Sequence, residues 1–385
     1  ASGNTFVGID NNVRVFSEPR TLVAIRNNLI WVLVVPLTVT GLGLVLAVLS
    51  NKMRFRSAFR LFLFLPLVVS GLAAGVTFRF LYAADPEVGA INALVRAVNH
   101  QFRPPGEYPT ARPSGAMTNL AVADGGSIVL TEDVASGEVV NFGLVGIRPS
   151  SLSQESGEAS PVEAREGFVR GTVWLDAGAG GSPGVIDATE RGLPGISVEL
   201  LQNGRLVGKG LTDGGGRFEI EAPPGAYQVQ LAASAFRPPH PGIAWLGPAL
   251  ITPSIMIGYI WLQTGFALIL IGAGLSGIDR EVLEAARLEG ANEFQVFWRI
   301  ITPLLTPVLM VVMVTTTISV LKIFDLVLVI APESLQQHAN VLALEMWRAS
   351  FGGARDFGLG SALSIVLFLM IVPAMVFNLR RFKAS

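Results

Sequence analysis

Lys322 and Asp325 stand three positions apart at the end of a long apolar run. On a helix that spacing lets the two meet on one face, and an ionisable pair at membrane depth either lines a passage or closes a structural salt bridge. Other apolar runs carry the hydroxyl and amide groups that a path for a polar solute needs. Tyr259, Gln263 and Thr316 come first, then Asn27, Asn28, Thr38, Thr40, Trp261, Thr264, Thr315, Thr317 and Ser319. Such groups serve equally as helix-to-helix hydrogen bonds. A second charged feature is EAARLEGANEFQVFWRIITP, residues 284–303, set between two apolar runs and too strongly patterned to be a bare connector.

Other chemistries lack their residues. The absence of Cys removes disulfides, thiolate nucleophiles and cysteine metal sites. His100, His240 and His338 lie in separate polar stretches, so a histidine metal centre would need the fold to gather them. No G-x-x-x-x-G-K-[ST] phosphate loop occurs, so energy from ATP must come from a partner. An intramembrane transferase would want paired carboxylates or a His near a span end, and the apolar runs offer one Asp.

The elements that must position these groups are membrane helices. The chain has 385 residues, 51% hydrophobic and 15% charged, against about a quarter charged in soluble domains. Its mean hydropathy is +0.54. A net charge of −1 gives no electrostatic reason to bind nucleic acid. A bilayer core needs roughly 20 apolar residues as a helix, and five stretches qualify: 29–49, 61–82, 253–275, 302–321 and 357–379. Their prolines (36, 66, 253, 307, 373) suit membrane helices, where neighbours satisfy freed backbone groups. Basic clusters orient the spans: Lys52, Arg54, Arg56 and Arg60, then Arg280, Arg287 and Arg299, then Arg380, Arg381 and Lys383 mark cytoplasmic segments. Residues 1–28, about 84–245, and 331–356 fall outside. An outside start with an inside finish fits an odd number of spans and leaves room for a sixth helix before residue 1. The expected fold is an all-α polytopic membrane protein with an inserted extracytoplasmic all-β sandwich.

That insertion is residues 101–240, between membrane portions 1–100 and 241–385. Residues 101–164 are rich in Pro and Gly and partly β. Residues 165–235 show short period-2 strands separated by NG, DGGG and PPG turns, the pattern of a small sandwich. In GTVWLD, DATERGLPGISVELLQNG and LTDGGGRFEIEAPPGAYQVQL this part resembles prealbumin-like repeats of bacterial surface adhesins and regulatory domains of carboxypeptidases. The resemblance implies a calcium site at Asp176, Asp187 and Glu190, although the intervening AGAGGSPGVI lacks the oxygens that a ligand set of six or more demands. Plain turn residues are the other reading. An alternative for the whole chain is a membrane-anchored adhesion or receptor protein presenting the sandwich.

In the loop 278–301, Arg280 to Glu289 are helix formers and Gly290 is a helix stop. Phe294, Phe297, Trp298 and Ile301 then fall at i, i+3, i+4 and i+7, one apolar stripe leading into the next span. Small Ala285 and Ala286 with rim charges Glu284, Arg287 and Glu289 make either a docking surface or an ordinary interfacial helix. The arrangement Glu284-Ala285-Ala286, two residues, Glu289, Gly290-Ala291, with Phe297, Ile300, Pro303 and Pro307 beyond, resembles the cytoplasmic signature loop of permease subunits of binding-protein-dependent ABC importers. Glu289 stands where that family usually has Asp. FVGIDNNVRVF, FRLFLFLPLVVSGLAAGVTFRFLY and LKIFDLVLVI extend the resemblance to sugar-uptake permeases of the maltose and α-glucoside kind. It implies a bacterial inner-membrane protein that binds no cofactor itself, with ATP and Mg on two cytoplasmic ATP-binding cassette subunits. It further implies a second permease subunit, an extracytoplasmic substrate-binding protein, contact with lipid, and a sugar or glucoside as cargo.

Overall fold

The structure is a computed structural model and describes residues 8–51, 53–176, 182–187, 189–353 and 355–382. Lys52, Lys383 and the side chains of Arg380 and Arg381, four of the orienting cations, lie outside the described residues, as do 177–181 of the glycine run. The chain divides into two compact units, Ala1–Ala93 with Ile243–Ser385, and Leu94–Gly242.

The first unit is helical. It comprises α1 (Asp10–Ser17), α2 (Pro19–Asn51), α3 (Arg56–Val68), α4 (Gly71–Leu81) and the start of α5 (Ala90–Phe102). After the second unit follow α6 (Ile251–Ser276), α7 (Arg280–Leu288), α8 (Glu293–Val296), α9 (Thr302–Leu321), α10 (Asp325–Ile330), α11 (Gln336–Ala339), α12 (Leu342–Phe351) and α13 (Phe357–Phe382). Among the described residues, α2, α6 and the run Glu293–Leu321 are long and apolar enough to cross a membrane.

The apolar stretch expected to span at 61–82 is bent: α3 and α4 are long and apolar enough only as a pair, with 97° between them. The cause lies in the residues. Pro66 removes one N–H near the end of α3, Val69 is extended, and Ser70 restarts the helix by accepting the Ala73 N–H at 3.2 Å. Among the described residues there are thus three long apolar helices and one bent pair, with a shorter apolar helix at Phe357–Pro373. Helix α2 also begins well before the apolar run at 29, and on these first turns Thr21, Ala24, Asn27 and Asn28 are buried.

Small residues let the helices approach. A Cβ on Gly43 would lie 2.6 Å from Ala267 Cβ, and one on Gly265 would lie 2.2 Å from Leu63 O. These are the α2–α6 and α3–α6 crossings, where close van der Waals contact replaces the hydrophobic drive that lipid does not supply. Near the start of the chain, Arg14 bonds Asp356 at 2.8 Å and Glu18 at 3.0 Å, joining α1 to the head of α13; the Arg14 hydrogen bond holds the Asp356 carboxyl below its ordinary range.

Asn92 closes this unit where the chain leaves and returns. It is fully buried, and its Nδ2 donates to Ala83 O, Ala84 O and Ile243 O, while Oδ1 accepts from Ile243 N at 2.8 Å and Trp245 Nε1 at 3.2 Å. A buried group robbed of its partner costs about 1–3 kcal/mol. Asn92→Ala strands several at once, so it is expected to destabilise the unit by roughly 3 kcal/mol or more; the unfolding midpoint of the purified chain in detergent checks this.

Among its described residues the second unit carries eleven strands: β1 (Arg112–Pro113), β2 (Leu120–Val122), β3 (Ile128–Leu130), β4 (Val134–Ala135), β5 (Phe142–Val145), β6 (Phe168–Leu175), β7 (Arg191–Gly192), β8 (Ser197–Gln202), β9 (Arg205–Leu211), β10 (Arg217–Glu221) and β11 (Ala226–Leu231). They form two sheets, β1-β5-β6-β10 with β7 on β6, and β2-β3-β11-β8-β9 with β4 on β11. Alternation fixes the faces: Phe218 and Ile220 of β10, and Tyr227, Val229 and Leu231 of β11, point inward. They join Val169, Val173, Val198 and Leu200 in one core, which also takes Tyr108, Leu120, Ile128, Phe142 and Leu144 from before residue 165. Each such side chain, fully buried, contributes about 1.5–3 kcal/mol. Strands from 101–164 therefore share the sheets and the core with those from 165–235.

Candidate functional site

The loop 278–301 builds itself from local rules. Asp279 caps α7 by accepting the Glu281 N–H at 3.1 Å. At the other end Gly290 adopts φ +89°, and Gly290 N donates to Arg287 O while Ala291 N donates to Ala286 O at 3.0 Å, a Schellman closure. Asn292 and Gln295 then exchange side-chain bonds to each other's backbone N–H at 2.9 Å, a capping box that starts α8. Arg287 bonds Glu293 at 2.9 Å across the turn, so this guanidinium, expected at a docking rim, serves the loop itself.

None of the residues of α7 is buried, and Leu288 is 90% exposed. Glu284, Ala285 and Glu289 are exposed as well, while Ala286 and Ala291 turn partly inward. From Glu293 the chain runs as one helical rod to Leu321, with a π-turn at Phe297–Ile301 where Thr302 N and Oγ1 both reach Phe297 O. Pro303 explains the turn: in a regular helix its ring would meet the carbonyl of Arg299. The extra residue also splits the expected apolar stripe. Val296 and Ile301 are buried and Phe297 half-buried, whereas Phe294 and Trp298 remain exposed. Between the rod, α7 and the end of α2 lies an open cleft of about 740 Å³ lined by Asn51, Arg56, Arg280, Glu284, Arg287, Glu293 and apolar neighbours.

The residues expected along a passage separate into two sets. Tyr259 and Gln263 come together, Gln263 Nε2 donating to the Tyr259 hydroxyl at 3.0 Å. Thr316 does not join them: it is 2% exposed and its hydroxyl bonds Val312 O. Lys322 and Asp325 do not share a helix face, because Lys322 ends α9 and Asp325 begins α10, and the two make no ion pair. Asp325 packs instead at the break in the bent pair, where a Cβ on Gly71 would lie 2.4 Å from its Oδ2.

Asn27 and Asn28 are brace residues rather than path residues. Asn27 Nδ2 donates to His338 O and Asn340 O, and Asn28 Oδ1 accepts the Leu342 N–H at 2.9 Å, capping α12 from α2. Asn340 in turn donates to Glu345 at 2.6 Å, and Gln336 donates to Leu328 O and Ala331 O. Sequence reasoning missed this buried polar network, since its members occupy the segment 331–356 that reads as a connection.

In the β unit, Asp176 accepts from Gly184 N, Asp187 from Ser182 N, and Glu190 from Asp187 N, each at 2.9–3.0 Å. The three carboxylates thus close one loop through backbone bonds. Among the described residues no group of three His, Cys, Asp or Glu side chains is placed to hold a metal ion.

A self-capped exposed helix, a continuous rod from it into the apolar bundle, and a broken span beside a buried polar cluster define a helical membrane permease with a β-rich segment. Residues 221–382 match the family described as binding-protein-dependent transport system inner membrane component. It is 27% identical to the osmoprotective compounds uptake permease protein GgtC of Synechocystis sp. over 99% of this chain and 87% of that one. It is 43% identical to the alpha-glucoside transport system permease protein AglF of Rhizobium meliloti over 33% of this chain and 37% of that one. The fold is similar to a chain of a bacterial ABC transporter involved in import of the acidic polysaccharide alginate, with a TM-score of 0.55 at 14% identity, covering 98% of this chain and 85% of that one.

Proposed function

We propose that the chain is the permease subunit of an ATP-driven importer for a sugar or glucoside, paired with a second permease and driven by two cytoplasmic ATP-binding cassette subunits that hold ATP and Mg. The observation that carries this reading is α7: nine residues capped at both ends, with no buried side chain and a leucine 90% exposed. An exposed leucine of that degree on a rigid, self-contained helix suits an apolar seat on a partner. The relatives' printed substrates, osmoprotective compounds and α-glucosides, support a hydroxylated cargo.

Closure of the motor subunits displaces α7, the Arg287–Glu293 pair and the turn at Gly290 carry the displacement to α8, and the rod Glu293–Leu321 carries it through the bilayer. Rigid-body rocking of this kind needs stiff elements between motor and passage. The β unit lies on the outer side and helps receive the substrate-binding protein. Asp176, Asp187 and Glu190 are read as loop-closing groups rather than ion ligands.

The absence of Cys from the chain provides a direct test. Leu288→Cys, in the co-expressed complex, is expected to crosslink to an ATP-binding cassette subunit, and the same replacement at Gly41, which is open on α2, is not. A Leu288→Cys chain that crosslinks to no motor subunit would sink the reading.

A further inference from the structure

The end of α2 opposite the coupling cleft borders a second cavity, of about 640 Å³, whose walls include Arg20, Arg79, Arg348, Asn340, Trp347 and Glu333. Small-molecule sites fall at roughly 300–1,000 Å³. Its charge balance is unusual. Arg20 and Arg79 make no ion pair among the described residues, and Arg348 is held by a neutral partner, its Nη2 donating to Gln336 Oε1. Gln336 is itself oriented, because its Nε2 is committed to the carbonyls of Leu328 and Ala331. Three guanidiniums thus face one lining carboxylate, Glu333, with Glu345 behind the wall on Asn340.

Asn340 adds a second, independent feature. It is 1% exposed, its Nδ2 is used on Glu345 and Arg20 O, and its Oδ1 has no hydrogen-bond partner. That acceptor matches a hydroxyl donor. Trp347, 38% exposed and stacked on Phe324 at 6.5 Å, supplies a flat apolar wall of the kind that the C–H face of a pyranose covers. Forked guanidiniums recognise planar oxyanions better than any other side chain.

We propose that this cavity is an entry subsite for an acidic sugar: its carboxylate or equivalent oxyanion is received by Arg20, Arg79 and Arg348, a hydroxyl by Asn340, and its ring face by Trp347. The proposal deepens the importer reading and rests on it only for the cavity's place on the delivery side. The test is equilibrium binding of glucuronate, glucose and acetate to the assembled complex in lipid nanodiscs. Glucuronate is expected to bind at least tenfold tighter than glucose or acetate. Arg79→Gln and Arg20→Gln, at exposed positions without partners, are each expected to weaken glucuronate about tenfold and leave glucose unchanged, and Trp347→Ala to weaken both sugars. Equal binding of glucuronate and glucose, acetate matching glucuronate, no binding of glucuronate, or indifference to Arg79→Gln would overturn the assignment. Crosslinking at Leu288→Cys does not depend on these arginines, so either reading can fail while the other stands.

Discussion

In the reconstituted importer, Glu284→Lys is expected to lower substrate uptake at least tenfold while the chain still inserts and folds. Glu284 is exposed on α7 and lines the cleft with Arg56, Arg280, Arg287 and Glu293. Three cations and two carboxylates share that rim, and reversal at 284 makes it four against one. Juxtaposed like charges at an interface cost several kcal/mol, and a factor of ten corresponds to about 1.4 kcal/mol. Because the side chain contributes nothing to the core, thermal stability should hold. The measurement is substrate-stimulated ATPase and uptake in proteoliposomes beside an unfolding curve. Wild-type coupling in this variant would remove α7 from the transmission path.

Gly265→Val should act in the opposite way, on the fold rather than the coupling. A Cβ there would lie 2.2 Å from Leu63 O, 2.9 Å from Leu63 C and 2.9 Å from Phe64 Cα. These are backbone atoms of α3, so no side chain can rotate aside and the helices must separate. Overpacking costs typically 1–3 kcal/mol, and more where backbone must move. The bend between α3 and α4 begins just beyond this contact, so the loss spreads to the seat of Asp325. Folded yield in the membrane should fall several-fold, whereas Gly41→Ala, with open space around its Cβ, should behave as wild type. Equal yields for the two variants would show that the crossing tolerates expansion.

Much of the loop 278–301 was legible in the sequence because its rules are local. Gly290 as a stop and a helix on either side follow from residue type within a few positions, and they appear as a Schellman closure and a capping box. The side-chain faces beyond Phe294 were not legible, since one added residue in the π-turn rotates everything after it. The pairing of Lys322 with Asp325 failed for a related reason: the spacing assumes an unbroken helix, and the chain breaks at Ile323 and Phe324. The bend within the second apolar stretch was not legible, because hydropathy counts apolar residues without asking where Pro66 and Ser70 interrupt them. The brace of Asn27, Asn28, Asn340 and Glu345 joins positions more than three hundred residues apart, and no single-chain periodicity carries that information.

The single side chain at 92 has a consequence for how such proteins can diversify. It clasps the outgoing and returning strands of backbone to one another, its amide nitrogen only 3.0 Å from the carbonyl of residue 243. Whatever lies between those two points can be lengthened, exchanged or excised and rejoined by a short graft without disturbing the scaffold that holds the ends. Close, fixed termini are the condition under which guest sequences are tolerated. The β unit is accordingly free to evolve on its own clock.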